Sequence, residues 1–152
     1  KELALSITFI RADVIDLSII HSNAFDLVYT GGHVAVWVSD IDAFYSEATR
    51  ILRPSGLLMI NEYHPFRRTW QASPDQLIVA APYAERGPFE YDNSEQILRP
   101  EPGPLKSFEF HCTIADYINA VLKAGCEPGS RYSRRLIPRS FLPELPSRQA
   151  LR

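Results

Sequence analysis

Two histidines, His33 and His64, stand where a side chain could take part in chemistry. His33 follows two glycines after the apolar segment FDLVYT, and His64 lies in NEYHPF after the apolar segment LLMI. An imidazole ionises near neutral pH, so it is a side chain that can take part in chemistry. A third polar residue, Asp13, ends the segment SITFIRAD. These three residues are the first candidates for a functional site.

The segments around the two histidines predict a βαβ unit. FDLVYT and LLMI have the composition of parallel strands, and Leu57–Ile60 is expected to be an inner strand covered on both faces. Between them a helix begins after Ser39 or Asp40, either of which can cap it. Its apolar residues recur at spacings of three and four: Ile41, Phe44, Tyr45, Ala48 and Leu52. Because ligands bind outside the carboxyl ends of strands in such sheets, Thr30–His33 and Asn61–His64 lie at the expected binding edge.

Further elements are predicted on either side of this unit. Residues 6–13 alternate as a strand that ends at Asp13. A second helix begins after Thr113, with Asp116 in a capping-box position, and ends at Gly125. Leu77–Ala81 and Ser107–Cys112 are expected to pair as short antiparallel strands.

The segment 65–110 holds many of the 12 prolines and much of the aromatic content. A long irregular connection of this kind inside a compact domain is usually a lid or a binding loop, or else partly disordered. We therefore expect a single domain over residues 1–135 with 65–110 as an inserted substrate cover, and an irregular tail over 136–152.

Composition limits the classes of partner. The formal net charge is -2, without a run of Lys or Arg, which argues against nucleic-acid and membrane-surface binding and favours a small-molecule partner. No apolar stretch approaches the roughly 20 residues that span a bilayer, so a cytoplasmic location is expected. Cys112 and Cys126 flank the second helix, too far apart for a disulfide, and no metal-ligand spacing is present.

The order of these segments resembles the second half of a class I S-adenosylmethionine-dependent methyltransferase of the type 11 kind. The resemblance is most specific at FDLVY, residues 25–29, and at RILRPSG, residues 50–56, where the family usually has Gly in place of Ser55. It covers about residues 1–66 and again 107–127. It implies an α/β fold, a Rossmann-like methyltransferase sheet with helices on both faces, and S-adenosylmethionine as cofactor.

The resemblance also implies roles for individual residues. Asp13 would accept a hydrogen bond from the adenine amino group and Val14 would contact the ring, while Thr30, Gly31, Gly32 and His33 would line the methionine end of the cofactor. The cofactor-binding set is thus Asp13, Val14, Thr30, Gly31, Gly32 and His33. The acceptor would face His64, Phe66, Trp70 and Tyr83. His33 and His64 would be the candidate bases, needed only if the acceptor must lose a proton.

Parts of the family pattern are absent from this sequence. No Gly-x-Gly motif occurs, and the first two strands of the family's sheet have no counterpart. The resemblance therefore implies a fold truncated at its N-terminus, with an incomplete cofactor site and open sheet edges that favour a homo-oligomer. Activity of this chain alone is uncertain on that basis. The alternative function is a non-catalytic remnant of the fold that serves as a homo-oligomeric binding or assembly module.

Each of these residues also has an ordinary structural explanation. Asp13 is a common strand-end turn residue, and two adjacent glycines are usually a turn. Histidines such as His33, His64 and His111 are most often hydrogen-bonded surface residues. Only their combination favours a functional site.

Overall fold

The described part of the fold is built from two α-helices and three separate pairs of strands. The computed structural model describes residues 6–71, 73–92 and 105–127. In chain order the elements are β1 (Phe25–Gly31), α1 (Ile41–Arg50), β2 (Leu52–Asn61), β3 (Trp70–Gln71), β4 (Ile78–Val79), β5 (Phe89–Asp92), β6 (Lys106–Glu109) and α2 (Ile114–Lys123), with short 3₁₀ helices at Ala35–Trp37 and Pro65–Thr69.

The strands β1 and β2 form the central sheet. They pair in parallel, with Val28 opposite Leu58 and Thr30 opposite Ile60, and α1 connects them. The predicted βαβ unit is confirmed. Ser55, in the turn-like start of β2, has a φ of 66°, a left-handed value that explains why a glycine is favourable there.

Both predicted helix starts are confirmed by their caps. The side chain of Asp40 accepts a hydrogen bond from the Ala43 amide at 2.9 Å, so Asp40 rather than Ser39 caps α1. Thr113 and Asp116 form the reciprocal capping box of α2. Gly125 follows α2 with a φ of 86°, the conformation that ends a helix at low cost.

The core lies between α1, α2 and one face of the central sheet. Its buried residues are Val38, Phe44, Tyr45 and Ala120, and Leu58 of β2 packs against them. Tyr45 and Ala120 are both fully buried, which places the close contact between the two helices at the centre of this core.

The opposite face of the central sheet is exposed. Leu27 and Tyr29 of β1 are 52% and 56% exposed, and Leu57 and Met59 of β2 are 55% and 48% exposed. The expectation that Leu57–Ile60 is covered on both faces is therefore wrong for the described residues. Alternation along β2 directs Leu58 to the core, while Leu57 and Met59 point to the other side.

Residues 6–12 form no strand, so the expected strand over 6–13 is wrong. Ile7, Phe9 and Ile10 are exposed, and Asp13 forms only an isolated bridge with Asp16. A strand needs a neighbour for its backbone groups, and none of the described strands pairs with this segment.

The expected pairing of Leu77–Ala81 with Ser107–Cys112 is also wrong. Strands do form within both segments, but β4 pairs with β3 and β6 pairs with β5, each antiparallel. Nearer segments along the chain supply these partners, and strand composition alone does not specify which partner is chosen.

Cys112 and Cys126 are free, as expected. None of the helices in the described ranges is long and apolar enough to cross a membrane. The expected irregular tail, residues 136–152, lies outside the described residues. The boundaries of the domain and of the substrate cover stay predictions.

Candidate functional site

The carboxyl ends of β1 and β2 bring His33 and His64 to one narrow crevice. The loop after β1 carries His33, and the segment after β2 carries His64 and the 3₁₀ helix Pro65–Thr69. Other polar and aromatic residues of the crevice come from that segment, from the residues just before α2 and from α2 itself: Tyr63, Arg67, Arg68, Phe110, His111, Cys112 and Tyr117. The two histidines that the sequence singles out therefore share a site.

A polar cluster lies beside this crevice. We use the name polar cluster for His33, Glu62, Arg68, Glu109 and His111. The Arg68 guanidinium donates to Glu109 and to the Nε2 atom of His33 through close contacts. His111 Nε2 lies 3.4 Å from Glu109 Oε2, and His33 Nδ1 lies 3.7 Å from Glu62 Oε2. The cluster thus joins the loops after β1 and β2 to β6.

The contacts of His33 indicate its protonation state. Because Arg68 can only donate, Nε2 of His33 must accept, and the ring proton sits on Nδ1, which faces Glu62. Burial of the imidazole is the main cause that lowers the pKa of His33, and the nearby Arg68 charge acts in the same direction. His33 is therefore neutral in this arrangement.

Glu62 is a buried carboxyl that sequence reasoning missed. Its Oε1 atom accepts the Ala35 amide at 3.3 Å, whereas Oε2 is buried without a hydrogen-bond partner in the described structure. Burial raises the pKa of Glu62. The available signal was its position two residues after LLMI, at the expected binding edge of the sheet. The sequence contained no comparable signal for the Arg68–Glu109 pair, because the two residues lie 41 positions apart.

The loop after β1 has an unusual backbone. Gly32 and His33 both have positive φ values, 76° and 70°, and a Cβ at Gly32 would meet nothing within 4 Å. Thr30 is buried, and its hydroxyl has no hydrogen-bond partner in the described structure. A Cβ on Gly31 would instead collide with the Tyr29 side chain. Open space at Gly32 and a polar atom at Thr30 are features of a ligand-contacting loop.

Asp13 and Val14 lie on a separate, exposed turn. The Asp13 side chain accepts the Ile15 amide at 3.1 Å, and its carbonyl accepts the Asp16 amide at the same distance. These contacts are those of a local turn. The role of both residues toward an adenine ring stays a prediction.

The predicted acceptor residues divide into two groups. His64 lines the crevice, and its Nδ1 atom accepts the Phe66 amide at 3.2 Å, which caps the 3₁₀ helix. Phe66 packs against Trp70 and Tyr83 at ring distances of 5.4 and 6.0 Å, outside the crevice lining. Tyr83 also accepts the Ile114 amide at 2.9 Å, so this aromatic group ties the cover segment to the start of α2.

Comparison with known proteins identifies the type of fold. Residues 1–60 match the sequence model of a family described as a methyltransferase domain. Among solved structures, the S-adenosylmethionine-dependent methyltransferase from Mesorhizobium loti superimposes with a TM-score of 0.60 at 20% identity. The alignment covers 82% of this chain and 54% of that one, so this chain spans about half the length of its structural relative. No curated protein sequence matches the chain.

This chain has a methyltransferase fold. The resemblance stated from FDLVY and RILRPSG is confirmed by the family match and by the fold together. In the methyltransferase fold, as in other open α/β sheets, the ligand edge is the carboxyl edge of the strands, where the crevice and the polar cluster lie.

The residues of this methyltransferase fold meet part of the chemistry of S-adenosylmethionine. The unpartnered Thr30 hydroxyl and the open space at Gly32 fit the polar methionine end of that cofactor. The exposed Asp13 carboxylate can accept a hydrogen bond from an amino group such as that of adenine. Within the described ranges, no group of three or more His, Cys, Asp or Glu side chains could hold a metal ion.

Proposed function

We propose that this protein is an S-adenosylmethionine-dependent methyltransferase-like protein that acts on a small molecule. The observation that carries the proposal is the meeting of the loops after β1 and β2 around one crevice, on a fold shared with a methyltransferase. Bound S-adenosylmethionine supplies a methyl group on a positively charged sulfur. Thr30 and Gly32 would hold its methionine end, and Asp13 and Val14 its adenine.

In this proposal the chain contributes chiefly positioning. Transfer of a methyl group by direct displacement needs the two partners aligned, and alignment alone accounts for a large part of such a rate enhancement. His33 or His64 would remove a proton where the acceptor requires it. His33 can do so only when Arg68 releases its Nε2 atom. His64 can do so only when the Phe66 amide releases its Nδ1 atom, because the ring proton sits on Nε2.

We further propose that β1 and β2 are part of a larger methyltransferase sheet with helices on both faces, and that the cofactor site in this chain is incomplete. The apolar, half-exposed residues Leu27, Tyr29, Leu57 and Met59 support a covered sheet face. The lack of a Gly-x-Gly motif supports an incomplete site, because that motif brings backbone close to a nucleotide. A cytoplasmic location is part of the same proposal and is based on composition alone.

The proposal is tested by mapping cofactor contacts by NMR. On addition of S-adenosylhomocysteine, we expect saturable shifts of the Thr30, Gly32 and Val14 amides. The amides of Asn23 and Arg53, at the amino end of the sheet, serve as internal controls and should not move. Shifts confined to the control amides, or none at millimolar ligand, would contradict the proposal.

A second candidate function is favoured by the exposed sheet face. Leu27, Tyr29, Leu57 and Met59 form a contiguous apolar strip on paired strands. A strip of this kind on paired strands is typical of a protein-interaction surface. In this case the chain would act as a homo-oligomeric assembly module that has kept the fold without the reaction.

A further inference from the structure

The crevice presents an excess of hydrogen-bond donors. Its lining includes Arg67, Arg68 and the three histidines His33, His64 and His111, and no carboxylate among the described residues lines it. Arginine side chains only donate. The crevice is therefore suited to a ligand group that only accepts hydrogen bonds.

Two of these side chains, Arg67 and His64, have no acidic partner at the crevice, and Arg68 keeps one unused donor atom. The Arg67 guanidinium lies over the Tyr63 ring at 5.1 Å and pairs with no carboxylate within the described ranges. The Nε atom of Arg68 is buried without a hydrogen-bond partner there. His64 uses Nδ1 to accept the Phe66 amide, so its proton sits on Nε2, which is left to donate.

The carboxylates nearby are already engaged with other groups. Glu109 accepts from Arg68 and faces His111, and Glu62 faces His33 and the Ala35 amide. Neither carboxylate lies in the crevice lining, so neither neutralises Arg67. The positive charge at the mouth of the crevice is thus left for a ligand.

We propose that this crevice binds a carboxylate carried by the methyl acceptor, with Arg67 and His64 as its main partners. The inference depends on the proposed function for the identity of the ligand as an acceptor. The enclosed volume is about 10 Å³, roughly the space of one water molecule, so at most one carboxylate oxygen enters the crevice. The rest of the ligand stays at the open mouth beside Tyr63.

The test uses benzoate as a probe carboxylate and benzamide as its neutral isostere, without cofactor. Binding is followed by NMR shifts of the Tyr63, Arg67 and His64 resonances. Benzoate should give saturable shifts and benzamide none. Arg67→Gln should weaken benzoate binding at least about tenfold, because a charge-assisted hydrogen bond is lost.

Two further variants separate binding from folding. Arg53→Gln changes an arginine of the sheet's amino end that pairs with Asp26, and it should leave benzoate binding unchanged. His64→Asn keeps an acceptor for the Phe66 amide but removes the Nε2 donor, so weaker binding with a retained fold is expected.

The proposal is overturned if benzamide shifts the same resonances as benzoate, or if Arg67→Gln binds benzoate as well as Arg53→Gln does. Tighter binding of inorganic phosphate than of benzoate would overturn the choice of a carboxylate. Because the assay contains no cofactor, a failure here is distinguishable from a failure of S-adenosylhomocysteine binding.

Discussion

At the scale of single residues, His33 and His64 meet at one crevice at the carboxyl edge of the central sheet. Nε2 of His33 accepts a hydrogen bond from Arg68, and its Nδ1 atom faces Glu62. Contacts of this kind join residues about 30 positions apart, so they depend on the fold rather than on local sequence.

The buried His33 should make stability depend on pH. Burial, assisted by Arg68, lowers the pKa of His33 in the folded protein, whereas the unfolded imidazole titrates near about 6.5. As the pH falls below this value, the unfolded chain takes up the proton first, so the free energy of unfolding decreases. His33→Gln should lose less stability between about pH 7 and 5 than the wild type in urea unfolding.

The matched control for this prediction is His21→Gln, a change at an exposed histidine. Its pH dependence should equal that of the wild type. Glu62 has a raised pKa, so it contributes the opposite trend, with stability lost as the pH rises through that pKa. Because Glu62 Oε2 lies 3.7 Å from His33 Nδ1, His33→Gln also changes the surroundings of Glu62, so the comparison is repeated in a Glu62→Gln background to separate the two contributions. An identical pH profile for His33→Gln and wild type would contradict the assignment.

A second residue-scale prediction concerns the start of α1. Asp40 accepts the Ala43 amide, whereas its neighbour Ser39 does not cap the helix. Loss of an N-cap side chain typically costs about 1 kcal/mol. Asp40→Ala should lower the free energy of urea unfolding by about that amount, and Ser39→Ala should change it by less than about 0.5 kcal/mol. Equal effects of the two substitutions would argue against the cap.

At the scale of elements, prediction succeeded where a segment carries its own signals. The helices α1 and α2 have caps, an apolar stripe and an end signal within their own sequence, and both formed as expected. Residues 6–12 had only alternation, which cannot supply a pairing partner, and they formed no strand. The predicted pairing of the segments that contain β4 and β6 was wrong for the same reason, because the composition of a strand does not specify its pairing partner.

The contact between the two helices gives an element-scale prediction. Ala120 of α2 is fully buried in the core with Tyr45, whereas Ala115 of the same helix is exposed. Adding three carbons at a tightly packed position typically costs 1–3 kcal/mol, roughly. Ala120→Leu should therefore lower the free energy of unfolding by about that amount, while Ala115→Leu should stay within about 0.5 kcal/mol. Equal stability of the two variants would contradict the packing of α2 on α1.

At the scale of the whole molecule, the main feature is a sheet that is covered on one face and apolar on the other. Family resemblance predicted open edges, but the exposed face of Leu27, Tyr29, Leu57 and Met59 is a finding of the structure. Periodicity in LLMI could not reveal it, because a continuous apolar run looks the same whether one or both faces are covered.

This face predicts self-association of the chain. Light scattering should give a mass above that of one chain at micromolar concentration. Leu27→Lys should shift the mass toward one chain, because a charge at the centre of an apolar contact is costly to desolvate. Leu77→Lys changes an exposed leucine outside the central sheet and should leave the mass unchanged. A mass of one chain for the unmodified protein, with a sharp unfolding transition, would contradict this prediction.

Cofactor binding by this chain is tested most directly by calorimetry with S-adenosylhomocysteine. Asp13 and Asp16 are a matched pair, since each accepts a backbone amide two residues ahead at 3.1 Å. Asp13→Asn should weaken binding about tenfold, because it removes a charged acceptor for the adenine amino group, while Asp16→Asn binds as the wild type does. Equal affinities of the two variants, or no heat from the wild type, would contradict the account.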